Sequence, residues 1–311
     1  MSSSKTNDFV ENTDSRHPGH FLASFYLVFT VIAFSSIEIM VNPVRNDIAP
    51  LLMNFWRFLI GTLILTPFLL WTRRAQVMQL RRKDIVDMAV IGFMNIFLSM
   101  GAHAMCMKYA RASTAAILIS ANPLATNFFA WLILKEKMTG RRVMALTLGL
   151  AGVVVLAYKA DASVDTSFGI ATGVFAMIGF GLYTVLSKRL VQKHGGLMVM
   201  VGSCLPALIL YLPLLYLSGY EILPPTHTWP NVLGAGIIGT GLGYLSFMKA
   251  LEFLPAGRCS YLFFFKPPVA MFFAWLLLGE KIAPAAIVGT LLIMAGIFTE
   301  IKRAGQKARS A

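Results

Sequence analysis

The sequence predicts an all-α integral membrane protein of about ten transmembrane helices, built as two inverted five-helix repeats. Three observations predict it: long apolar blocks, a lopsided distribution of Lys and Arg, and an internal repeat. Of 311 residues, 57% are hydrophobic and 13% charged, against roughly 25% charged in a soluble domain. A water-soluble chain this apolar would expose large greasy patches and aggregate. Its apolar residues fall in blocks of roughly 17–25, enough to cross about 30 Å of hydrocarbon at 1.5 Å rise per residue. Each block must satisfy its own backbone in lipid, which a helix does. An outer-membrane barrel would show alternating segments of about ten residues instead.

In chain order, residues 1–20 are polar, rich in Ser, Asn and Asp, and read as a disordered tail. The run 21–41 has no small-residue cleavage site and reads as a retained helix rather than a signal peptide. Further spans fall near 50–71, 84–107, 112–134, 142–158, 167–190, 197–217, 230–251, 258–278 and 285–302. Short connections carry Pro, Gly or charge, and Pro224, Pro225 and Pro230 punctuate the longer loop before the eighth span. Residues 21–160 form the first repeat, 165–303 the second, and 304–311 a basic tail.

The Lys and Arg residues set the orientation. With the amino terminus cytoplasmic, nineteen of them flank the cytoplasmic ends of the spans, including Arg81, Arg82, Lys135, Arg142, Lys188 and Arg303. Five lie on the opposite side: Arg45, Lys108, Arg111, Lys159 and Lys281. One miscounted helix would scramble this split, so both termini are expected inside a cell (inner) membrane. The same short runs explain the net charge of +13. They form no continuous basic face of the kind that binds nucleic acid. Cys106, Cys204 and Cys259 lie far apart without ligand spacing, which predicts small buried hydrophobes, not a metal site or disulfide.

A shift of 144 residues lays 109–152 on 253–296 without a gap, with 14 of 44 positions identical. Phe128–Leu132 (FFAWL) matches Phe272–Leu276, Glu136-Lys137 matches Glu280-Lys281, and Pro123 matches Pro267. The shift spans five helices, an odd number, so the second copy enters the bilayer upside down. Inverted repeats build a site near the midplane that opens alternately to either side. That predicts a carrier.

The residues that make the repeat also carry a resemblance. Tyr244–Ala256 (YLSFMKALEFLPA), Pro267, Ala274–Lys281 (AWLLLGEK), Tyr109–Lys137, Gly179–Leu186 (GFGLYTVL) and Asn54–Phe58 (NFWRF) resemble the drug/metabolite transporter superfamily, specifically its EamA family of ten-helix carriers. The resemblance spans roughly residues 21–302. It implies two five-helix bundles around a central cavity, and export of amino acids or other metabolites. The residue before the ninth-helix proline is often acidic in that family; here it is Lys266.

Ionisable groups inside a span are costly and usually face a cavity or a partner. Glu38 suits a substrate amine or a coupling proton, Arg57 a carboxylate held bidentately; the competing reading pairs the two structurally or has each snorkel to the interface. Lys266 is expected to face a cavity, because its ammonium is far from water. His103 is suited equally to a ligand contact or to hydrogen-bonded packing. Pro123 and Pro267 are expected to kink their helices and free the carbonyls of Ile119 and Phe263 beside Asn122 and Lys266. Tyr183 and Tyr244 are candidate aromatic cavity walls. Glycines 234, 236, 239, 241 and 243 follow no strand, so they mark close helix approach, not a phosphate loop. Trp131 and Trp275 suit helix anchoring at the interface.

No GxSxG, HExxH or paired aspartates occur in a span, which argues against an intramembrane enzyme, and no filter-like segment supports a channel. The expected partners are a small-molecule solute, a coupling proton and the lipid bilayer, with no cofactor, metal or nucleic acid, in a monomer or homodimer. Export of an amino acid or similar metabolite is the first expectation. Carriage of a phosphorylated or nucleotide-linked anion, clamped by Arg57 and Lys266, is the second.

Overall fold

The computed structural model describes residues 18–110, 115, 118–157, 166–219, 221–278, 287–289, 291, 292 and 294–296. Every regular element among them is helical: α1 Pro18–Val41, α2 Pro50–Met78, α3 Arg82–Tyr109, α4 Asn122–Leu134, α5 Gly140–Ala157, α6 Ser167–His194, α7 Gly196–Leu217, α8 Thr226–Phe253, α9 Ala256–Ser260 and α10 Leu262–Leu278. Six of these helices, α1–α3 and α6–α8, are long and apolar enough to cross a membrane. Their outward faces carry large exposed side chains such as Phe25, Phe68, Trp71, Ile209 and Tyr216. In water such a surface would be a liability; against hydrocarbon it costs nothing. The chain is a multi-pass membrane protein. Of the amino-terminal tail expected over 1–20, residues 18–20 instead open α1, while the rest of it and the tail 304–311 fall outside the described residues.

Helix ends depart from the sequence expectation where local chemistry differs from hydropathy. α2 runs past 71 to Met78, but its backbone leaves helical values at Arg73 (φ −137°, ψ 23°), where the apolar run meets charge. The expected single span 112–134 is interrupted: a turn at Ala121 precedes α4, whose first turn holds Pro123. Proline fits there because the opening N–H groups of a helix have no internal acceptor. Pro123 therefore starts a helix instead of kinking one, whereas Pro267 and Pro268 lie inside α10. The two prolines are twins in sequence and not in local structure. The expected ninth span is likewise divided at Tyr261, between α9 and α10.

Two interruptions were invisible in hydropathy. α3 passes through a π-helical segment at Phe93–Ser99, and α8 through another at Ala235–Leu242. Under the shift of 144 residues, 93–99 falls on 237–243. The third helix of each half thus carries the same wide turn at the same place.

Packing exchanges partners between the halves. α1 packs on α8 and α10, and correspondingly α6 packs on α3 and α4; α2 lies along α7. The π segment of α8 rests on α1 and α2, that of α3 on α6 and α7. Glycines allow the approach. A Cβ at Gly236 would lie 2.8 Å from Ile60 Cβ, and one at Gly92, its partner under the 144-residue shift, would drive into the Ser203 backbone. Gly61 meets Gly241 N at 2.8 Å in the same way. The expected role of the α8 glycines in close helix contact is what the structure shows. At the centre, aromatic rings from both halves touch: Phe34 and Tyr244 at 5.0 Å, Phe180 and Phe263 at 5.1 Å, Phe58 and Tyr244 at 5.3 Å. All three cysteines are buried and unbridged.

Candidate functional site

A vestibule of about 440 Å³ opens between α1, α2 and α3, with Arg45, Asn46 and Lys108 among its lining residues. Ile37, Arg57, Met100 and Met107 line it and also a smaller chamber of about 40 Å³. The two spaces are consecutive, and Arg57 stands where one meets the other. The chamber's remaining walls include His103, Lys266, Phe34, Phe180, Tyr244 and Phe263.

Arg57 is held from its own helix. Asn54 lies three residues earlier, on the same face of α2, and its Oδ1 accepts from Arg57 Nε at 3.2 Å and Nη2 at 3.1 Å. The Asn54 amide in turn donates to the Ile96 carbonyl in the π segment at 2.9 Å and reaches the Tyr211 hydroxyl at 3.4 Å. The guanidinium sits 4.9 Å from the centre of the Phe58 ring. Helix packing thus orients a cation that is only 6% exposed.

Lys266 immediately precedes Pro267 in α10, and its carbonyl accepts from Ser35 Oγ of α1 at 3.2 Å. His103 lies four residues after the π segment ends at Ser99. Its Nδ1 is buried with no hydrogen-bond partner among the described residues. Tyr244 closes the wall, braced by Phe34 and Phe58.

Of the residues expected to bind solute, Arg57, His103, Tyr244 and Lys266 therefore come together on one chamber. Asn122 and Tyr183 do not join them. Asn122 sits in the first turn of α4, its Oδ1 accepting from Thr126 Oγ1 at 2.6 Å. Tyr183 is packed beside Phe180, ring centres 5.6 Å apart. Glu38 belongs to α1, next to Ile37, but its side chain falls outside the described residues, as does that of Trp275. Sequence reasoning passed over Asn54, although an amide three residues before a buried arginine was a usable signal. It also had no means of placing Phe34 and Phe180 on one chamber.

Among the described lining residues of the chamber there is no carboxylate, while Arg57, His103 and Lys266 bring nitrogen groups to it. Such a wall suits an anionic group on the solute, with aromatic and Met side chains left for its apolar part. No cluster of His, Cys, Asp or Glu suited to a metal occurs among the described residues.

The far, basal end of the molecule carries ion pairs beside a second cavity of about 740 Å³ lined by Arg73, Gln76, Lys193, His194 and Glu252. Asp84 begins α3, at the opposite end from Lys108, and contacts Lys193 and His194 at the end of α6 at 2.5 Å and 3.3 Å. Glu252, at the end of α8, accepts from Gly196 N at 2.5 Å and pairs with Lys249 at 2.8 Å.

Comparison with known proteins gives one answer throughout. The EamA-like transporter family matches residues 21–158 and, a second time, residues 167–299. An uncharacterized transporter of Clostridium kluyveri is 29% identical over 281 residues, covering 87% of this chain and 90% of its own. The uncharacterized transporter YoaV of Bacillus subtilis is 26% identical over 266 residues, 81% and 87% of the two chains. A probable terminal-alkyne amino-acid exporter of Streptantibioticus cattleyicolor is 28% identical over 203 residues, 64% and 67%. One solved crystal structure shares the fold with a TM-score of 0.78 at 19% identity, over 91% of this chain and 98% of that one.

Proposed function

The chain belongs to the EamA-like transporter family, and from that membership we propose a secondary carrier that exports a small organic metabolite, an amino acid or similar, across the inner membrane by alternating access. The observation that carries the reading is the vestibule leading to a chamber walled by Arg57, His103 and Lys266. The reciprocal packing of α1 on α8 and α10, and of α6 on α3 and α4, supports ten helices in two inverted repeats, since a pseudo-two-fold axis relates such pairs. The nineteen-to-five distribution of Lys and Arg supports termini in the cytoplasm, which puts Arg45 and Lys108 at an outward-facing mouth. In this reading the exported solute anion passes Lys266 in the chamber and then Arg57 before it leaves by that mouth.

Binding can be tested before the solute is known. Purified protein is screened for thermal stabilisation by amino acids and by phosphorylated or nucleotide anions, because a ligand that prefers the fold raises its apparent stability. A stabilising amino acid that also shows counterflow in proteoliposomes supports export of that class; no counterflow with any stabilising compound would sink the carrier reading. The basic chamber also favours a second reading, a phosphorylated or nucleotide-linked anion, identified by stabilisation that weakens as salt rises. For the coupling proton, Glu38→Gln is expected to abolish uptake driven by a pH gradient while the protein still folds. Unchanged uptake would remove Glu38 from coupling.

A further inference from the structure

At the basal end, one side chain joins the first half of the chain to the second at the turn between α8 and α9. The helix α4 ends at Lys135 in the left-handed region (φ 58°), the one described non-glycine residue with positive φ. A lysine pays about 1 kcal/mol for that conformation, and residues held in sparsely populated regions point to a constraint worth explaining. Its effect here is to bring Glu136 back across the helix end. Glu136 Oε1 accepts from Ala256 N at 3.0 Å, and Oε2 pairs with Arg142 at 2.8 Å. From the other side, Lys188 Nζ donates to the carbonyls of Leu251 at 2.6 Å and Leu254 at 2.9 Å. The turn that starts α9 is thus gripped by α4 and by α6.

Behind that grip, α4 and α9 meet along polar groups that apolar packing would not call for. Asn127 Nδ2 donates to Pro123 O at 2.8 Å and reaches Ser260 Oγ at 3.4 Å. Asn127 Oδ1, Asn122 Nδ2 and Ser120 Oγ are buried without a hydrogen-bond partner among the described residues. All three residues are fully buried. A buried polar atom left unsatisfied costs about 1–3 kcal/mol. Gly257 lies so close that a Cβ there would come within 2.5 Å of Asn127 Oδ1 and collide with the Arg142 guanidinium. Ser120 also follows Ile119, a chamber wall residue, so the polar row begins beside the chamber and ends at the Glu136 contact.

We infer that Glu136 is the latch of the basal side, and that the row Ser120, Asn122, Asn127 and Ser260 behind it is the closed half of the solute's path. This inference rests on the carrier reading. Release of Glu136 from Ala256 N leaves the α8–α9 turn held by Lys188 of α6 alone, α9 moves off α4 with α6, and the unsatisfied amides and hydroxyls gain water or solute as partners. Their cost in the latched state is the physical reason for two states close in energy. The groups of the row are neutral, so they pass an anion on without holding it as the chamber cations do.

The experiment reads thiol reactivity. In a chain whose native cysteines are replaced by serine, Ser260→Cys or Met53→Cys is introduced, the first in the row and the second in the vestibule wall. Purified protein in detergent is treated with a charged methanethiosulfonate reagent. Glu136→Gln weakens the latch, and Ala256→Pro deletes the donated N–H at a position where proline is accepted. Each is expected to speed modification at position 260 about tenfold and to slow it at position 53. Equal rates in parent and both variants would overturn the latch. If neither variant folds, the parent decides: slow modification at 260, slowed further in a parent carrying both cysteines once a bulky thiol reagent has blocked position 53, supports the inference, and complete protection at 260 ends it. A chain that shows counterflow while position 260 never reacts refutes the latch alone; one that opens at 260 yet moves no screened compound refutes the carrier reading and leaves the latch standing.

Discussion

Asn54 shows how much of the site is decided by one short side chain. Its oxygen holds two nitrogens of Arg57, and its amide reaches the Ile96 carbonyl. Asn54→Ala leaves the guanidinium without that anchor in a buried position, so a loss of about 1–3 kcal/mol of stability is expected, read as a lower midpoint in thermal unfolding. Arg57→Lys keeps the charge but not the fork that meets Asn54 Oδ1 and, in the proposed carrier, would meet a ligand carboxylate. It is expected to fold and to weaken stabilisation by any anionic ligand tenfold or more. Equal stabilisation of the variant and parent would show that Arg57 has only a structural part. At the end of α4, Lys135→Gly removes a left-handed penalty of about 1 kcal/mol, and unfolding should shift upward accordingly. Gly279 already occupies the matching place in the second repeat.

At the scale of elements, the paired π segments set where α3 and α8 present their side chains. A π turn carries one residue more than an α turn. Deleting one residue within Phe93–Ser99 would rotate the rest of α3 by about 100°, taking His103 away from the chamber wall. Such a deletion is expected to leave helix content by circular dichroism unchanged while ligand stabilisation is lost. The glycines beside these segments have the complementary role. At Gly236 and Gly61 a side chain has no room, because Ile60 and the Gly241 backbone are already in contact distance. Gly61→Val should destabilise by about 1–3 kcal/mol through overpacking. The same change at Gly140, with nothing near its Cβ position, lacks that penalty and serves as the control.

For the whole molecule, the prediction is that the two ends of the path open in alternation. Asn127 Nδ2 and Ser260 Oγ lie 3.4 Å apart across the α4–α9 contact, so Asn127→Cys and Ser260→Cys set two thiols across it, to be joined by oxidation where the two Cα atoms come within about 7 Å. Oxidation is expected to stop counterflow and reductant to restore it; transport continuing with the bridge fully formed would contradict alternating access through this seam. The class of molecule, the apolar spans and the role of the α8 glycines were legible in the sequence because each is written in local composition: lipid demands long apolar helices, and close approach demands small residues. So was the short list holding Arg57, His103, Tyr244 and Lys266, because a polar group inside a span is conspicuous against its neighbours. What local pattern does not encode is which faces meet. Only the tertiary structure brought those four residues to one chamber and left Asn122 and Tyr183 outside it. It also made Pro123 a helix start and brought Glu136 to Ala256, 120 residues away in the chain. The physical reason is that hydropathy reports the environment of each residue singly, whereas a site is made by the rotation and contact of several helices, and a single π turn or glycine changes that rotation without changing hydropathy.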